Sequence, residues 1–523
     1  MFTAVLSALS CKPSDPSSGG LQKGFILSFE ISGNRVLDDG SVLGVDADNV
    51  EISIVFTSEV SPDKDPAATC TVFTGGNLIP RQGGDGKTII LAPESKLNYG
   101  KTYKLVIGPG PVFGISLADA FTCSFTTAYD PSDKFPRISD DALFEKVQKA
   151  AFSYFWDYAH PTSGLARERL GSDETVATGG SGFGIMSIPV GIERGWISRS
   201  EGAQRMLTIV KFLQKAERFH GAWPHWMNGS TGKAIPFSSY DDGADLVETA
   251  FMVEGLLAVK HYFTGSDAVE TEIRSIIKSL WEEVEWSWFR QGGQDVLYWH
   301  WSPKYDWKMN MQIRSWNEAL IVYVLAASSP TYPISKEVYD KGWQGTNSYN
   351  FNNPLFFVHY SFLGLDPRNL KDAYADYWTQ NCRHVRTNYE YCVNSKKGYG
   401  YSSECWGLTA SDYYGGYTAS CPNKDTGTVA PTAAIASFPY MPDEAMAAMK
   451  YFYYTLGDRL WGTYGLKDAF ALKQNWFADS YIAIDEGPIV VMMENYRSGL
   501  LWNCFMQDED VQEGLTKIGF TWK

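Results

Sequence analysis

The sequence predicts a multidomain protein in which an all-β sandwich is followed by an all-α toroid of alternating inner and outer helices. Three observations support this prediction. At 523 residues the chain is longer than one ordinary domain. Short runs of alternating apolar and polar residues extend to about residue 128. From about residue 137 the apolar residues recur at helical spacing instead.

Residues 1–20 resemble a targeting segment followed by a tether. The start MFTAVLSALSC is a short apolar run ending in Ser-Cys, and a Pro/Ser/Gly-rich stretch follows it. This order is typical of a bacterial lipoprotein signal with Cys11 lipidated, and predicts an exported protein of the periplasm or the outer-membrane surface. A fragment of a longer signal and a mis-assigned start are the alternatives. No other run of about 18 apolar residues occurs, so we expect no membrane span.

Residues 21–128 are predicted to form the β-sandwich. Strand-like runs at 50–56, 88–91, 103–107 and 121–125 are separated by Gly, Asp, Asn and Pro. The segments ISIVF, LNYGKTYKLVI and FTCSFTT resemble bacterial immunoglobulin-like modules. We expect this region to serve as a spacer or accessory domain.

Residues 137–523 are predicted to form the helical domain, because their apolar residues recur at i, i+3, i+4 and i+7. The predicted helices span residues 139–158, 198–219, 243–263, 267–288, 313–327, 370–386, 442–456 and 488–502. If the inner helices run parallel, their N-terminal ends gather at one mouth of the toroid. Side chains far apart in sequence would then share one cleft.

The eight cysteines match no CxxC metal or redox pattern. Export would permit disulfides. From sequence spacing, three pairings are considered: Cys382 with Cys392, Cys405 with Cys421, and Cys70 with Cys123.

The composition favours a neutral or cationic ligand. The net charge is -15 and blocks of Lys and Arg are absent, which argues against a nucleic-acid partner. Aromatic residues make up 15% of the chain, and many lie in polar stretches such as AWPHW at 222–226 and YWHW at 298–301. Flat aromatic faces pack against the C–H face of sugars while nearby polar groups bind hydroxyls. Such stretches therefore suit a carbohydrate.

One stretch, DDGADLVETAF, places acids at the start of a predicted apolar helix. At about 100° per residue, Asp241, Asp245 and Glu248 fall within about 60° of one another on one helix face. Repulsion among clustered carboxylates raises the pKa of at least one of them, which keeps an acid protonated near neutrality. The alternative is that these acids only complement the positive end of the helix dipole.

Acids also open other predicted helices. Glu318 lies beside Trp316, and such aromatic neighbours would desolvate the carboxyl group and raise its pKa. Asp485 and Glu486 open another helix, whereas the acids at 443–444 follow a proline and are ascribed to the helix dipole. Two carboxylates across a cleft are the minimum for glycoside hydrolysis, since one protonates the leaving oxygen and the other activates water or attacks carbon.

Eight stretches of the helical region resemble a known family. In chain order they are YFWDYAHPTSGLARER, VATGGSGFGIMSI, GAWPHW, DDGADLVETAFMVEGLL, SWNEALIVYVLAASSPTYPI, CWGLTASD, GTVAPTAAIASFPYMPDEA and IAIDEGPIVVMMENYRSGLLW. Over about residues 140–520 the chain resembles the glycoamylase-like family of Bacteroidetes, which includes the endo-β-1,2-glucanases of glycoside hydrolase family 144. The resemblance implies an (α/α)6 barrel, no metal or organic cofactor, and hydrolysis of glucan linkages with inversion. The segment 382–421 and the β-module depart from the family and leave the linkage preference open.

The resemblance indicates the acids of the site, and the sequence surroundings indicate the binding residues. The family's important acids match Asp241, Asp245, Glu248 and Glu318. Glu318 is the predicted general acid, and the base is Asp245, Glu248 or Asp485. The predicted substrate-binding residues are Asp241, Arg167, Trp223, His225, Trp226, Trp316, Trp406 and Glu486. The expected partner of this catalytic domain is an oligo- or polysaccharide, foremost a β-1,2-glucan, and we expect a monomer.

Two other functions stay open: exo-hydrolysis of α-glucan and surface glycan binding without catalysis. Glu318 together with the pair Asp245 and Glu248 favours an enzyme, since binding needs only aromatics and amides. Around Glu168, the two arginines at 167 and 169 either bind hydroxyls or neutralise neighbouring acids.

Two further patterns are interpreted as structural. The segment GGSGFG at 179–184 fits neither a phosphate loop nor a nucleophile elbow, and we predict a close-packed turn beside the cleft. His220, His225 and His300 lack the spacing of a zinc motif, so no metal site is expected.

Overall fold

The structure is a computed structural model that describes residues 20–34, 36, 40–64, 71–314, 316–343 and 349–523. The predicted lipidation site Cys11 and the predicted disulfide partner Cys70 lie outside the described residues. The chain divides into two compact units. The first, called the β unit, comprises Met1–Ser132, Ser395–Gly400 and Leu472–Asn475. The second, called the helical unit, comprises Asp133–Asn394, Tyr401–Ala471 and Trp476–Lys523.

The β unit contains three sheets. Its described strands are β1 (Lys23–Gly24), β2 (Ile26–Ile31), β3 (Ser41–Val45), β4 (Ile52–Phe56), β5 (Thr71–Phe73), β6 (Leu78–Gln82), β7 (Thr88–Pro93), β8 (Thr102–Ile107), β9 (Gly110–Val112), β10 (Ile115–Leu117) and β11 (Phe121–Thr127). The two larger sheets have the orders β2-β4-β7-β6 and β3-β11-β8-β5, and the third is β1-β10-β9. All pairs are antiparallel except β3 with β11 and β1 with β10.

The two larger sheets share one hydrophobic core. In β4 the residues Ile52, Ile54 and Phe56 are fully buried while the intervening positions are not, as the two-residue period of a strand requires. Leu105 of β8 and Phe125 of β11 join the same buried cluster from the other sheet. The predicted β-rich N-terminal region is therefore confirmed.

The helical unit contains these described α-helices: α1 (Asp140–Asp157), α2 (Thr178–Glu193), α3 (Arg199–Leu213), α4 (Leu246–Tyr262), α5 (Ala268–Glu282), α6 (Leu320–Ser328), α7 (Lys336–Trp343), α8 (Tyr377–Asn394), α9 (Pro431–Ile435), α10 (Pro442–Lys450), α11 (Gly457–Leu460), α12 (Ala483–Arg497), α13 (Leu500–Phe505) and α14 (Glu509–Ile518). Short strands lie between them and form one three-stranded sheet, β12-β13-β14, and four pairs: β12 (Thr175–Ala177), β13 (Trp226–Asn228), β14 (Ala234–Ile235), β15 (Ala244–Asp245), β16 (His300–Trp301), β17 (Ala410–Tyr413), β18 (Gly416–Ala419), β19 (Trp461–Gly462), β20 (Gly465–Leu466), β21 (Phe470–Ala471) and β22 (Trp476–Phe477). The predicted helical C-terminal region is confirmed.

The helices differ in how much of their surface is buried. Helices α2, α4 and α6 are buried along almost their whole length, while α5 and α14 bury one stripe and expose the other face. Helix α2 packs against both α4 and α12, and α3 packs against α5. The helical unit therefore has central helices and covering helices.

The glycine-rich segment 179–184 forms the first turns of α2, so the predicted turn is wrong, whereas its close packing is present. A Cβ on Gly182 would lie 2.3 Å from the carbonyl oxygen of Phe251, and one on Gly255 would lie 2.3 Å from that of Gly182. These glycines allow α2 and α4 to approach more closely than larger residues would permit.

Several predicted helix boundaries are also wrong. The helix predicted at 243–263 begins at residue 246, and the one predicted at 313–327 begins at residue 320. The last predicted helix begins five residues earlier, at residue 483, and includes Pro488. The side chain of Asp245 caps α4, whereas α6 and α12 begin after Ala319 and Ile482 without a side-chain cap, so the apolar period alone does not locate these starts.

The described cysteines are all unpaired. Cys382 and Cys392 lie on the same helix, α8, ten residues apart, which is a rise of about 15 Å and far beyond disulfide reach. Cys405 and Cys421 are both buried as free thiols. These two predicted disulfides are therefore wrong. None of the helices that the structure describes is long and apolar enough to cross a membrane.

Candidate active site

A cavity of about 480 Å³ lies in the helical unit. Its wall includes residues from the first turns of α2, α4 and α12, and Glu318 from the turn before α6. Helix starts that are distant in sequence thus meet at one cleft. Of the predicted site residues, four line this cavity: His225, Trp226, Glu248 and Glu318.

Asp245 is the N-cap of α4. Its Oδ1 accepts hydrogen bonds from the backbone N–H groups of Val247 and Glu248, both at 3.0 Å. Its Oδ2 lies 3.0 Å from Nδ1 of His225, which is at hydrogen-bond distance. Asp245 therefore both begins the helix and orients an imidazole of the cavity wall.

Asp241 precedes α4, so the prediction that it shares a helix face with Asp245 is wrong. Its carboxylate nevertheless joins the same group, because Nε2 of His300 lies 3.4 Å from Asp241 Oδ2 and 3.5 Å from Asp245 Oδ2. The antiparallel pairing of β15 with β16 places Asp245 opposite His300. We call Asp241, Asp245 and Glu248 the first acidic cluster.

The two imidazoles determine which carboxyl groups of this cluster are ionised. Burial raises the pKa of Asp241 to about 6, with repulsion from Asp245 adding to the effect. Burial opposes ionisation of Asp245 as well, but hydrogen bonds from His225 and His300 outweigh it and hold its pKa well below the ordinary value. For His225 burial opposes the charged form, yet the three surrounding carboxylates raise its pKa to about 9. At neutral pH these shifts favour an ionised Asp245 beside a protonated His225.

Glu248 is the member of the first acidic cluster that lines the cavity. Its Oε2 accepts a 2.6 Å hydrogen bond from the N–H of Gly179, and its Oε1 lies 4.0 Å from Nε2 of His225. Burial is the main cause that raises its pKa to about 7. A Cβ at position 179 would lie 2.7 Å from Glu248 Oε2, so a glycine is needed for this contact.

Glu318 lies in a turn, two residues before the start of α6. Asn317 supports the turn by accepting the N–H of Ala319 at 2.9 Å, and Ser361 donates its hydroxyl to the carbonyl of Glu318. Burial raises the pKa of Glu318 to about 7, and the negative charges of Asp245 and Glu248 contribute. Two carboxyl groups with pKa values near neutrality thus face one cavity.

A second acidic cluster consists of Asp468, Asp485 and Glu486. All three are buried, and none lines the cavity. Burial, together with repulsion from Asp468, raises the pKa of Asp485 and that of Glu486 well above their ordinary values. Among the described residues, neither carboxyl oxygen of Asp485 has a hydrogen-bond partner, whereas its backbone carbonyl accepts the hydroxyl of Thr432 at 2.7 Å. Tyr417 lies on the cavity wall, and the electrostatic effect of Asp485 contributes to raising its pKa.

Several predicted sugar-binding residues do not reach the cavity. Trp223 and Trp406 are fully buried, so neither ring can touch a substrate, and these predictions are wrong. Arg167 is occupied by backbone carbonyls, including that of Tyr158 at 2.8 Å from Nη1. Trp316 packs edge-on against Trp343, with ring centroids 5.5 Å apart. Short aromatic motifs do not distinguish rings of the core from rings of a binding surface.

Other cavity residues were missed as site residues by sequence reasoning. They are Glu168, Arg169, Phe237, Trp299, Phe356, Tyr360 and Tyr417. Phe237 stacks on His225, with centroids 4.1 Å apart and planes at 25°. For Arg169 the sequence contains a signal, since arginines flank Glu168 on both sides, but the predicted binding residue, Arg167, does not line the cavity.

His225, Asp241 and Asp245 are also the described residues that could supply ligands to a metal ion, with one atom of each within 4.8 Å of the others. One nitrogen and two oxygens would suit a divalent cation. In the structure, Nδ1 of His225 instead faces Asp245 at 3.0 Å, so His225 and Asp245 already satisfy each other by a hydrogen bond.

Two family profiles match the sequence. The profile described as "Putative glucoamylase" matches residues 310–509, and that of a bacterial Ig-like domain matches residues 39–127. The solved structure of a glucoamylase homologue from Bacteroides uniformis is 56% identical, with a TM-score of 0.73, and covers 74% of this chain and 99% of its own. The chain belongs to this glucoamylase-like family.

Other members of the glucoamylase-like family have named activities. The endo-β-1,2-glucanase from Chitinophaga pinensis, solved with sophorotriose and glucose, is 49% identical with a TM-score of 0.72, covering 74% of this chain and 99% of that one. The exo-β-1,2-glucooligosaccharide sophorohydrolase of Parabacteroides distasonis is 45% identical in a match that covers 73% of this chain. The chain spans 58% of the length of that curated relative. The predicted family resemblance and the Ig-like N-terminal region are confirmed.

Proposed function

We propose that this chain is a glycoside hydrolase that cleaves β-1,2-glucan in an (α/α)6-barrel domain. The observation that carries the proposal is the pair Glu318 and Glu248, which line one cavity with pKa values of about 7. The family relatives, whose names specify β-1,2-glucan and its oligosaccharides, support the choice of substrate.

In the proposed mechanism Glu318 is the general acid. Its raised pKa keeps the carboxyl protonated until it donates the proton to the leaving glycosidic oxygen. Glu248 accepts a proton from the water that attacks the anomeric carbon, so the C–O bond breaks as the new one forms and the configuration inverts. The imidazolium of His225, 4.0 Å from Glu248, favours the ionised form that a base requires.

The aromatic wall would hold the sugar rings. Trp226, Phe237, Trp299 and Tyr360 surround the same cavity as the two glutamates. Their flat faces suit the C–H faces of glucose, and Glu168 with Arg169 offers acceptors and donors to hydroxyl groups.

Asp485 is a second candidate for the base. Neither of its carboxyl oxygens has a hydrogen-bond partner among the described residues, and in its ionised form it would raise the pKa of Tyr417 on the cavity wall. A proton would then have to pass from the cavity through water to a buried carboxylate. The direct position of Glu248 on the cavity wall favours Glu248.

Incubation with a panel of linear β-1,2-, β-1,3-, β-1,4- and α-glucans tests the proposed function. We expect oligosaccharides from β-1,2-glucan alone, and proton NMR of the first products should show the inverted anomer. Glu318→Gln should abolish turnover, and Glu337→Gln, which changes an exposed acid of α7, should be fully active. Glucose released from starch alone would overturn the β-glucanase assignment, and binding without any product would favour a glycan-binding protein.

A further inference from the structure

We propose that a groove beside the cavity binds further sugar units of the glucan chain, so that the substrate passes from the cavity across Arg169 into the groove. This inference rests on the proposed function. The groove has a volume of about 640 Å³ and lies between the β17–β18 hairpin and the segment 476–480.

The groove and the cavity share part of their walls. Arg169 and Tyr417 line both spaces. Ala410 and Ala419, at the base of the β17–β18 hairpin, line the cavity, whereas Tyr413 and Gly416 near its turn line the groove. The hairpin therefore borders both the cavity that contains Glu248 and Glu318 and the groove.

The polar groups along this path suit uncharged hydroxyls. Nη1 of Arg169 donates to both carboxylate oxygens of Asp412 at 3.1 Å, and its Nε donates to Glu168 at 2.9 Å. Ser480 donates to Asp412 at 2.6 Å and holds the carboxylate in place. The guanidinium is compensated by two carboxylates, so the site does not favour a phosphate or another anion. Fixed donors and acceptors side by side match sugar hydroxyls, which both donate and accept.

Aromatic rings complete the groove. Trp476 and Tyr413 are half-buried in its wall, and Tyr417 is 50% exposed. Partly exposed rings beside rigid polar groups combine the two contacts by which proteins hold neutral sugars. A sugar chain that is too long for the cavity would therefore bind more tightly through additional contacts with the groove.

The test is the dependence of kcat/KM on substrate length, measured with linear β-1,2-gluco-oligosaccharides of increasing size. Trp476→Ala should lower kcat/KM for the longest substrates by about tenfold, the loss of one stacking contact, and that for the shortest cleaved substrate by less than about twofold. Trp476→Phe, which keeps a flat ring, should recover most of the loss. Tyr332→Ala removes an exposed ring outside both spaces and should match the wild type at every length.

Binding in a non-hydrolysing background separates the groove from the catalytic step. Calorimetry with long β-1,2-glucan should show about tenfold weaker binding when Trp476→Ala is added to Glu318→Gln. Equal losses of kcat/KM at all substrate lengths, or no loss of kcat/KM or of affinity, would contradict sugar binding in the groove while leaving the proposed function intact. A wild-type protein that cleaves none of these substrates would overturn the proposed function and the groove with it.

Discussion

The two acidic clusters of the helical unit contain similar carboxyl groups in opposite surroundings. In the first, imidazole nitrogens of His225 and His300 lie 3.0 and 3.5 Å from Asp245. In the second, Asp485 and Glu486 are buried beside Asp468, and burial and repulsion raise the pKa of each. Burial acts in the same direction in both clusters, so the imidazoles account for the difference in charge.

The two clusters also differ in whether they can supply the general base. In the first cluster, Glu248 lines the cavity and the buried Asp245 has a lowered pKa that favours its ionised form. In the second cluster, no member lines the cavity, and the raised pKa of Asp485 favours its protonated form. A general base must be ionised and must reach the reacting water. Of the acids in the two clusters, only Glu248 lines the cavity, and the positive charge of His225 favours its ionised form.

The largest expected effect on kcat comes from replacing one carboxyl group of each cluster by an amide, in two separate variants. Glu248→Gln should lower kcat by about 10³-fold or more, since it removes the proposed base. Asp485→Asn should lower kcat far less, because its carboxyl does not line the cavity. Initial rates on β-1,2-glucan, with circular dichroism to verify folding, check the comparison. The reverse order of effects would transfer the role of base to Asp485.

The pH dependence of kcat/KM should be a narrow bell centred near pH 7. Activity requires an ionised base and a protonated acid, and the pKa values of Glu248 and Glu318 are both about 7. Below that pH the base becomes protonated and the rate falls; above it the acid loses its proton and the rate falls again. The two limbs report the coupled pair rather than either residue alone. A broad plateau from pH 5 to 9 would contradict these raised pKa values.

Removing the imidazole of the first cluster should have an intermediate effect. His225→Gln removes a positive charge that lowers the pKa of Glu248, so the acidic limb of the pH profile should move to higher pH. We also expect kcat to fall by about tenfold to a hundredfold, because the base loses its electrostatic support. His220→Gln changes a half-buried histidine that pairs with Glu285 away from the cavity, and it should leave both the profile and kcat unchanged.

The smallest effect is expected for a buried acid outside both clusters. Glu254 on α4 accepts the N–H groups of Gly364 and Leu365, and burial raises its pKa well above the ordinary value. A raised folded-state pKa means that stability falls as pH rises from the unfolded pKa towards the folded one. Glu254→Gln should therefore have a higher Tm relative to wild type at pH 8 than at pH 5. An equal difference at both values would show that Glu254 does not titrate with folding.

The sequence predicted the three acids of the first cluster, but the predicted common helix face was wrong. The helix dipole and the clustered acids were opposing interpretations of one motif, and Asp245 takes part in both, since it caps α4 and orients His225. Asp241 contacts the cluster through His300, a residue far along the chain, rather than through the helix face. No periodicity can predict a contact made across a short strand pair.

Among the aromatic residues, sequence reasoning was least successful. Trp223 and Trp226 lie three residues apart in one motif, yet Trp223 is fully buried and Trp226 lines the cavity. Tyr417 was not predicted, because its exposure depends on how the β17–β18 hairpin sits beside Arg169. Tryptophan and tyrosine are used in cores and on binding surfaces alike, so residue type does not decide between the two.

By itself the sequence determined the order of a β-rich and a helical region, the family, and two of the glutamates that line the cavity, Glu248 and Glu318. These properties follow from apolar period, motif order and residue type, which are local. Only the tertiary structure decided which carboxyl groups are paired with imidazoles, which rings face the cavity, and that Arg169 rather than Arg167 reaches it. Those properties depend on the burial and the charges that distant segments bring to each side chain.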